Sequence, residues 1–86
     1  MKYLLNRDFG GFTVPAEMCE KLNCDKYDDW YTIRTNADFI KWVEEHPKKT
    51  TLKVFELDPS WTDWTINEYD GFEKIIAVKN GLLEFI

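Results

Sequence analysis

The stretch that decides the fold is TLKVFELDPSWTDWTINEYDGFEKIIAVKNGLLEFI, residues 51–86. Apolar and polar residues alternate in several short segments of it, and this period of two is that of a β-strand with one buried face. The pairs Asp70-Gly71 and Asn80-Gly81 separate such segments, and these residue types accept the positive φ angles of a tight hairpin turn. The stretch therefore predicts an antiparallel meander of four strands.

The first part of the chain predicts one further strand and a helix. Lys2 to Asn6 has strand character, and the Gly10-Gly11 pair after it predicts a sharp turn. Pro15 suits the first turn of a helix because that position needs no N–H donor. The apolar face of this helix comprises Val14, Met18, Cys19 and Leu22. Asn23 is suited to end it.

A second helix is predicted to start at Thr35, whose hydroxyl is placed to accept from the N–H of Asp38, and to end before Pro47. Its buried face comprises Ala37, Phe39, Ile40, Trp42 and Val43. Cys24 to Tyr31 shows no period and predicts an irregular loop. Together these elements predict a single α+β domain over residues 1–86, with an antiparallel sheet of four to five strands and two helices packed on one face.

Composition and charge limit the classes of function. With 44% hydrophobic and 16% aromatic residues, the 86-residue chain has enough aromatic side chains to leave some on its surface. The net charge of −5 argues against direct binding of nucleic acid, since phosphates require clustered Lys and Arg. It either favours a basic protein partner or is the ordinary charge of a solvated domain. No segment resembles a signal peptide or membrane span, so a cytoplasmic protein with reduced cysteines is expected.

Two cysteines and the single histidine suggest a metal site. Cys19 and Cys24 have a spacing that lets both thiolates bind one zinc ion, and His46 follows the second helix. Asp25, Asp28 or water would complete the four ligands. The alternative is that Cys19 packs as a small hydrophobic residue and Cys24 is an incidental loop thiol.

The sequence offers few groups for catalysis. Ser60 is the only serine, and His46 lies among Glu44, Glu45 and Pro47. A Cys–His nucleophile requires an electropositive pocket, whereas the residues around both cysteines are acidic. We therefore expect no catalytic residues and a protein that is not an enzyme, with a thiol enzyme as a further alternative.

Two clusters combine aromatic and acidic residues. The first cluster comprises Tyr27, Asp28, Asp29, Trp30 and Tyr31, and the second comprises Asp58, Trp61, Asp63 and Trp64. Aromatic anchors surrounded by charge are typical of protein-binding surfaces. Trp64 also continues the strand alternation of Ile66, so both a core position and a contact position are open for it.

Three segments together resemble a family of short phage and prophage proteins: MKYLLNRDFGGF, RTNADFIKWVEE and LKVFELDPSWTDWTINEYDGFEKI. Members of that family open with a strand and a Gly-Gly-aromatic turn, carry an Arg-Thr-(Asp/Asn) helix start, and share a Trp-x-Ile-x-Glu-Tyr-Asp-Gly-x-Glu hairpin. Here the hairpin is Trp64 to Glu73. The resemblance leaves out Ala16 to Ile33, where both cysteines lie, and its motifs are structural.

The chain is also similar to small acidic anti-CRISPR proteins that inhibit Cas9 of type II-A systems, one class of which is suspected to bind a metal. This likeness implies a phage-encoded inhibitor that binds Cas9 and obstructs its engagement with target nucleic acid, as a monomer or small homo-oligomer and with zinc as a possible staple. The alternative is a small structural or regulatory phage protein that acts by self-association or by binding another host protein.

Overall fold

The computed structural model describes all 86 residues and contains five strands and three helices. In chain order they are β1 (Lys2–Asn6), α1 (Ala16–Leu22), α2 (Tyr31–Arg34), α3 (Ala37–Glu45), β2 (Leu52–Glu56), β3 (Asp63–Tyr69), β4 (Phe72–Lys79) and β5 (Leu82–Phe85). The prediction of an α+β fold with antiparallel strands is confirmed. None of the helices has the length and apolarity needed to cross a bilayer.

The strands form two separate sheets, which corrects the prediction of one four-stranded meander. β3, β4 and β5 follow one another in a three-stranded sheet, whereas β2 pairs with β1 in a two-stranded ribbon. Leu4 of β1 lies opposite Val54 of β2. The connection from β2 to β3 contains Pro59 and no two-residue turn pair, so nothing holds β2 beside β3.

Both predicted hairpin turns are confirmed. Asp70 and Gly71 have φ angles of 50° and 87°, and Asn80 and Gly81 have φ angles of 53° and 76°. Positive φ at both central residues is the geometry whose twist matches that of the flanking strands. These turns fix the registers of β3 on β4 and of β4 on β5.

The β1–β2 ribbon lies between two hydrophobic clusters. Leu4 of β1 packs towards the helices, and this cluster comprises Leu4, Phe12, Val14, Met18, Phe39, Ile40, Val43 and Leu52. Tyr3 and Leu5 point to the other face, where they pack with Leu57, Ile75 and Ala77. The alternation of side chains along β1 thus gives three layers, with the helices on one face of the ribbon and the three-stranded sheet on the other.

The starts of the helices differ from the prediction. Pro15 precedes α1 as its cap residue, and its carbonyl accepts from the N–H groups of Met18 and Cys19. Residues 31–34 form the short helix α2, which was not predicted: it begins at the last residue of the predicted loop and ends just before the predicted helix start at Thr35. Thr35 therefore ends α2, with its hydroxyl donating to the Tyr31 carbonyl at 2.7 Å. Asn36 caps α3 instead, through an Oδ1 that accepts from the Phe39 N–H at 3.1 Å.

The predicted ends and buried faces are largely confirmed. Asn23 follows α1 in the left-handed conformation with φ 52°, and α3 stops at Glu45, just before His46 and Pro47. On α3 the buried side chains are Phe39, Ile40 and Val43. Of the remaining residues predicted for that face, Trp42 is half-buried and Ala37 is exposed.

Candidate protein-contact surface

Three aromatic rings join the two predicted clusters. The Tyr31 ring on α2 lies 6.0 Å from the Tyr3 ring on β1, centroid to centroid. The Trp64 ring on β3 meets the Tyr3 ring edge-on, with 5.1 Å between the ring centroids. We call Tyr31, Tyr3 and Trp64 the aromatic row. Tyr3 is buried and fixed by the core, so it holds one residue from each predicted cluster in place.

The two ends of the aromatic row reach the surface. Tyr31 is 50% exposed and its hydroxyl lies 3.2 Å from the Met1 sulfur, while Trp64 is half-buried. Trp64 therefore combines the two positions left open for it, because one part of its ring contacts the core and the rest faces solvent. Trp30 and Tyr27 stand out further, with 67% and 70% of their surfaces exposed. Large exposed rings on an ordered backbone are typical of binding surfaces.

The acidic residues of the first cluster play different parts. The Asp28 carboxylate accepts from the Asp25 N–H at 2.9 Å and thus closes a local turn. Asp29 keeps its side chain 62% exposed with one carboxylate oxygen 3.7 Å from Arg34 Nη2, while its backbone carbonyl accepts from Arg34 Nε at 2.8 Å. Arg34 therefore holds Asp29 next to Trp30, with most of the Asp29 side chain open to solvent.

The second cluster is a turn followed by a strand start. Trp61 is half-buried and packs against the hydrophobic cluster that contains Leu57 and Ile75. Its backbone N–H donates to the Asp58 carbonyl at 3.1 Å. Asp63 is exposed next to Trp64. The Asp58 carboxylate accepts from the Ser60 N–H at 2.9 Å and lies 3.6 Å from Lys79 Nζ. The Asp63 carboxylate accepts from the Trp64 backbone N–H at 2.8 Å and, because neighbouring side chains of a strand alternate, it points to the opposite face of β3 from the Trp64 ring.

The hydrogen bond from the Ser60 N–H, with a smaller contribution from Lys79, holds the pKa of Asp58 below its ordinary value of 3.8. A carboxyl with a depressed folded-state pKa stabilises the fold above its unfolded pKa, and this contribution is lost as the pH falls through the folded pKa. We expect an NMR titration of the Asp58 carboxyl to give a midpoint below 3.8. In Lys79→Met it should rise only part of the way, since the bond from Ser60 remains. A full return to the ordinary value would contradict this order of causes.

The sequence analysis missed a buried ion pair between α2 and β4. Arg34 Nη1 and Nη2 donate to the two carboxylate oxygens of Glu73 at 2.8 and 2.7 Å, and both residues are buried. Burial alone would lower the pKa of Arg34, but the hydrogen bonds and attraction of Glu73 outweigh this and raise it. Arg34 Nη1 also donates to the Leu4 carbonyl at 3.1 Å. The pair thus ties α2, which carries Tyr31, to both sheets.

Asn6 brings the Gly-Gly turn into the same network. Its backbone N–H donates to Glu73 at 2.8 Å, and its side-chain amide donates to the carbonyls of Asp8 and Gly71, each at 2.6 Å. Thr51 donates its hydroxyl hydrogen to the Asn6 side-chain oxygen. The three segments that resemble the phage family therefore meet here. The available signal was Glu73 itself, which lies on the same face of β4 as the buried Ile75.

The predicted metal ligands are brought together only in part. Cys24 donates its backbone N–H to the Cys19 carbonyl at 3.1 Å, and burial, followed by the neighbouring Cys19, raises the pKa of the Cys24 thiol. His46 stacks on Trp42 at 4.7 Å, with Nδ1 against the Trp42 carbonyl. No group of three or more His, Cys, Asp or Glu side chains is placed to hold a metal. The two thiols alone do not make a closed zinc site, and Asp25 adds no third ligand, so the zinc site stays a prediction.

The largest hollow lies away from the aromatic row. Its volume is about 710 Å³, and its walls include Val14, Cys19, Lys26 and Lys49. None of the residues predicted to contact a partner lines it.

Comparison of the chain with family models, with curated proteins and with solved structures finds no match. Function is therefore inferred from the aromatic row and the charges beside it.

Proposed function

We propose that this protein acts by binding another protein through the aromatic row and the exposed Trp30, without carrying out a reaction. The observation that carries the proposal is the junction at Tyr3, which holds Tyr31 and Trp64 on a buried base and leaves their outer parts exposed. Anchors that are already rigid lose little conformational entropy on binding. Such preorganised aromatic side chains supply most of the affinity in many interfaces.

The charges beside these anchors support a basic partner. Asp29 and Asp63 expose their carboxylates in the first and second cluster respectively, and the whole protein has a net charge of −5. Carboxylates at the rim of an interface attract Lys and Arg and increase the rate of encounter. A protein that binds nucleic acid exposes such basic residues to hold phosphates. Occupying them would obstruct its engagement with DNA or RNA.

Cas9 is the partner that we propose, because of the resemblance to type II-A anti-CRISPR proteins. Its nucleic-acid channel is positively charged, which matches the carboxylates of this surface. Inhibition would result from occlusion, with the aromatic anchors docked and the carboxylates paired with phosphate-binding residues. In this mechanism zinc would act only as a structural staple.

The test compares two exposed tyrosines, Tyr31 and Tyr69. Tyr31→Ala removes an end of the aromatic row, whereas Tyr69→Ala removes a 70% exposed ring on the opposite face of β3 from Trp64. We expect Tyr31→Ala to weaken binding to purified Cas9 about 30-fold, the effect of losing one interface hot spot, and to relieve inhibition of DNA cleavage in parallel. Tyr69→Ala should bind as the unaltered protein does.

Two results would count against different parts of the proposal. Undiminished cleavage at excess protein, with no retention of Cas9 on an affinity column, rejects Cas9 as the partner. The same columns, loaded with host lysate, then test the surface itself. If a basic protein is retained by the Tyr69→Ala column and not by the Tyr31→Ala column, the aromatic row is supported as the binding surface. If both columns retain it equally, the aromatic row is rejected as the binding surface.

A further inference from the structure

The free edge of β5 has the properties of a site for strand addition. β5 is the last strand of the β3-β4-β5 sheet and pairs only with β4. Reciprocal bonds between Ile75 and Ile86, at 3.2 and 2.9 Å, set the alternation of the ladder. Leu82 and Glu84 consequently direct their backbone groups towards β4, and Leu83 and Phe85 direct theirs away from it. The outer edge thus offers the N–H and C=O groups of two residues.

The same two residues carry exposed apolar side chains. Leu83 is 63% exposed and Phe85 is 67% exposed. They lie opposite Val78 and Ile76 of β4, which are half-buried, so the four side chains share the outer face of the sheet. An edge strand is usually protected by Lys, Pro or a bulge. β5 has none of these, and Glu84 is its single charged residue.

The charge of Glu84 disfavours a second copy of this protein as the occupant of the β5 edge and favours a different partner. If β5 paired with β5 of another copy so that the outward groups of Leu83 and Phe85 met, Glu84 would lie directly opposite its own counterpart. Like charges in directly opposed positions destabilise strand pairing, and each copy also has a net charge of −5. A strand with Lys or Arg opposite Glu84 and aliphatic residues on either side has the complementary pattern.

A shallow hollow continues the edge at the start of β5. It has a volume of about 300 Å³ and is lined by Lys79, Asn80, Leu82, Leu83 and Glu84. Its walls thus combine the aliphatic Leu82 and Leu83 with Glu84 and with Lys79, whose Nζ lies 3.6 Å from the Asp58 carboxylate. A hollow of this size beside an open strand edge accommodates one side chain of an added strand, which is how strand addition gains specificity.

We propose that β5 accepts an extended segment of a partner protein as a fourth strand of this sheet, and that the segment alternates aliphatic and basic residues. Backbone hydrogen bonds to Leu83 and Phe85 supply affinity, and pairing with Glu84 supplies selection for basic residues. This site is on the opposite edge of the sheet from β3, so it does not depend on the aromatic row.

Two peptides test the proposal directly: acetyl-SVKVKVS-amide and its match acetyl-SVEVEVS-amide. We expect the lysine peptide to bind about tenfold more tightly, because an attractive cross-strand pair replaces a repulsive one. Its binding should shift the NMR amide signals of Leu83 and Phe85 first. Absence of any such shift with either peptide overturns the proposal.

Three variants make the result specific. Leu83→Pro removes an outward N–H that β4 does not use, so it should keep the fold by circular dichroism and abolish binding of the lysine peptide. Glu84→Lys should reverse the preference between the peptides, whereas Glu45→Lys, with the same change in total charge on α3, should leave it unchanged. If Glu84→Lys and Glu45→Lys lose the preference for the lysine peptide equally, the preference comes from the total charge of the protein. That result overturns β5 as the binding site. A dimer that Leu83→Pro abolishes likewise overturns it, in favour of a second copy.

Discussion

Glu73→Leu is expected to lower the free energy of unfolding by about 3–5 kcal/mol, the usual cost of leaving one member of a buried ion pair without its partner. The substitution keeps a side chain of similar length but removes the two carboxylate oxygens that accept from Arg34 Nη1 and Nη2. It also leaves the buried N–H of Asn6 without its acceptor. The measurement is urea denaturation followed by tryptophan fluorescence and far-ultraviolet circular dichroism.

The same substitution at Glu84 is the matched control. Glu84 is in the same sheet but exposed and without an ion pair, so Glu84→Leu should change stability by no more than about 0.5 kcal/mol. The double variant Arg34→Met with Glu73→Leu should be more stable than the sum of the two single losses predicts, because no charge is then buried alone. Equal effects of Glu73→Leu and Glu84→Leu would show that the pair has no structural role.

Local sequence signals predicted the elements that depend on neighbouring residues. The turns at Asp70-Gly71 and Asn80-Gly81 are encoded by residue types that accept positive φ, and the structure has them at those positions. The partner of β2 was not predictable in this way. β2 pairs with β1 across more than forty intervening residues, as in Leu4 opposite Val54. The alternation along β2 fits either partner, so tertiary packing decides.

The candidate site likewise has features that the local sequence predicts and features that only the fold reveals. The sequence identifies Tyr31 and Trp64 as members of two aromatic and acidic clusters, but only the fold shows that both contact Tyr3. The predicted start of the second helix, Thr35, lies one residue before the observed cap Asn36, because the sequence pattern does not reveal α2. Asn36 offers an equally good cap, and the extra turn at Tyr31 to Arg34 leaves that position to it.

Gly71→Ala is expected to cost about 3–4 kcal/mol of unfolding free energy. A Cβ at this position would lie 2.0 Å from the backbone N of Gly11 and 2.6 Å from its Cα, so the Gly-Gly turn must move away. That movement breaks the bond from the Gly10 N–H to the Asp70 carbonyl and strains the bond from the Asn6 amide to the Gly71 carbonyl. The expected cost combines about 1–2 kcal/mol of left-handed backbone strain with about 1 kcal/mol for each hydrogen bond.

Gly81→Ala separates these two causes. Gly81 has a similar φ of 76°, in the same kind of hairpin turn, but no atom lies within 4 Å of its added Cβ. Only the backbone strain applies there, so we expect a loss of about 1–2 kcal/mol. The difference between the two alanine variants, measured by the same urea denaturation, reports the close approach of the Gly-Gly turn to the hairpin. If the two losses are equal, backbone strain accounts for both, and the contact between Gly11 and Gly71 contributes nothing to the junction where the three segments meet.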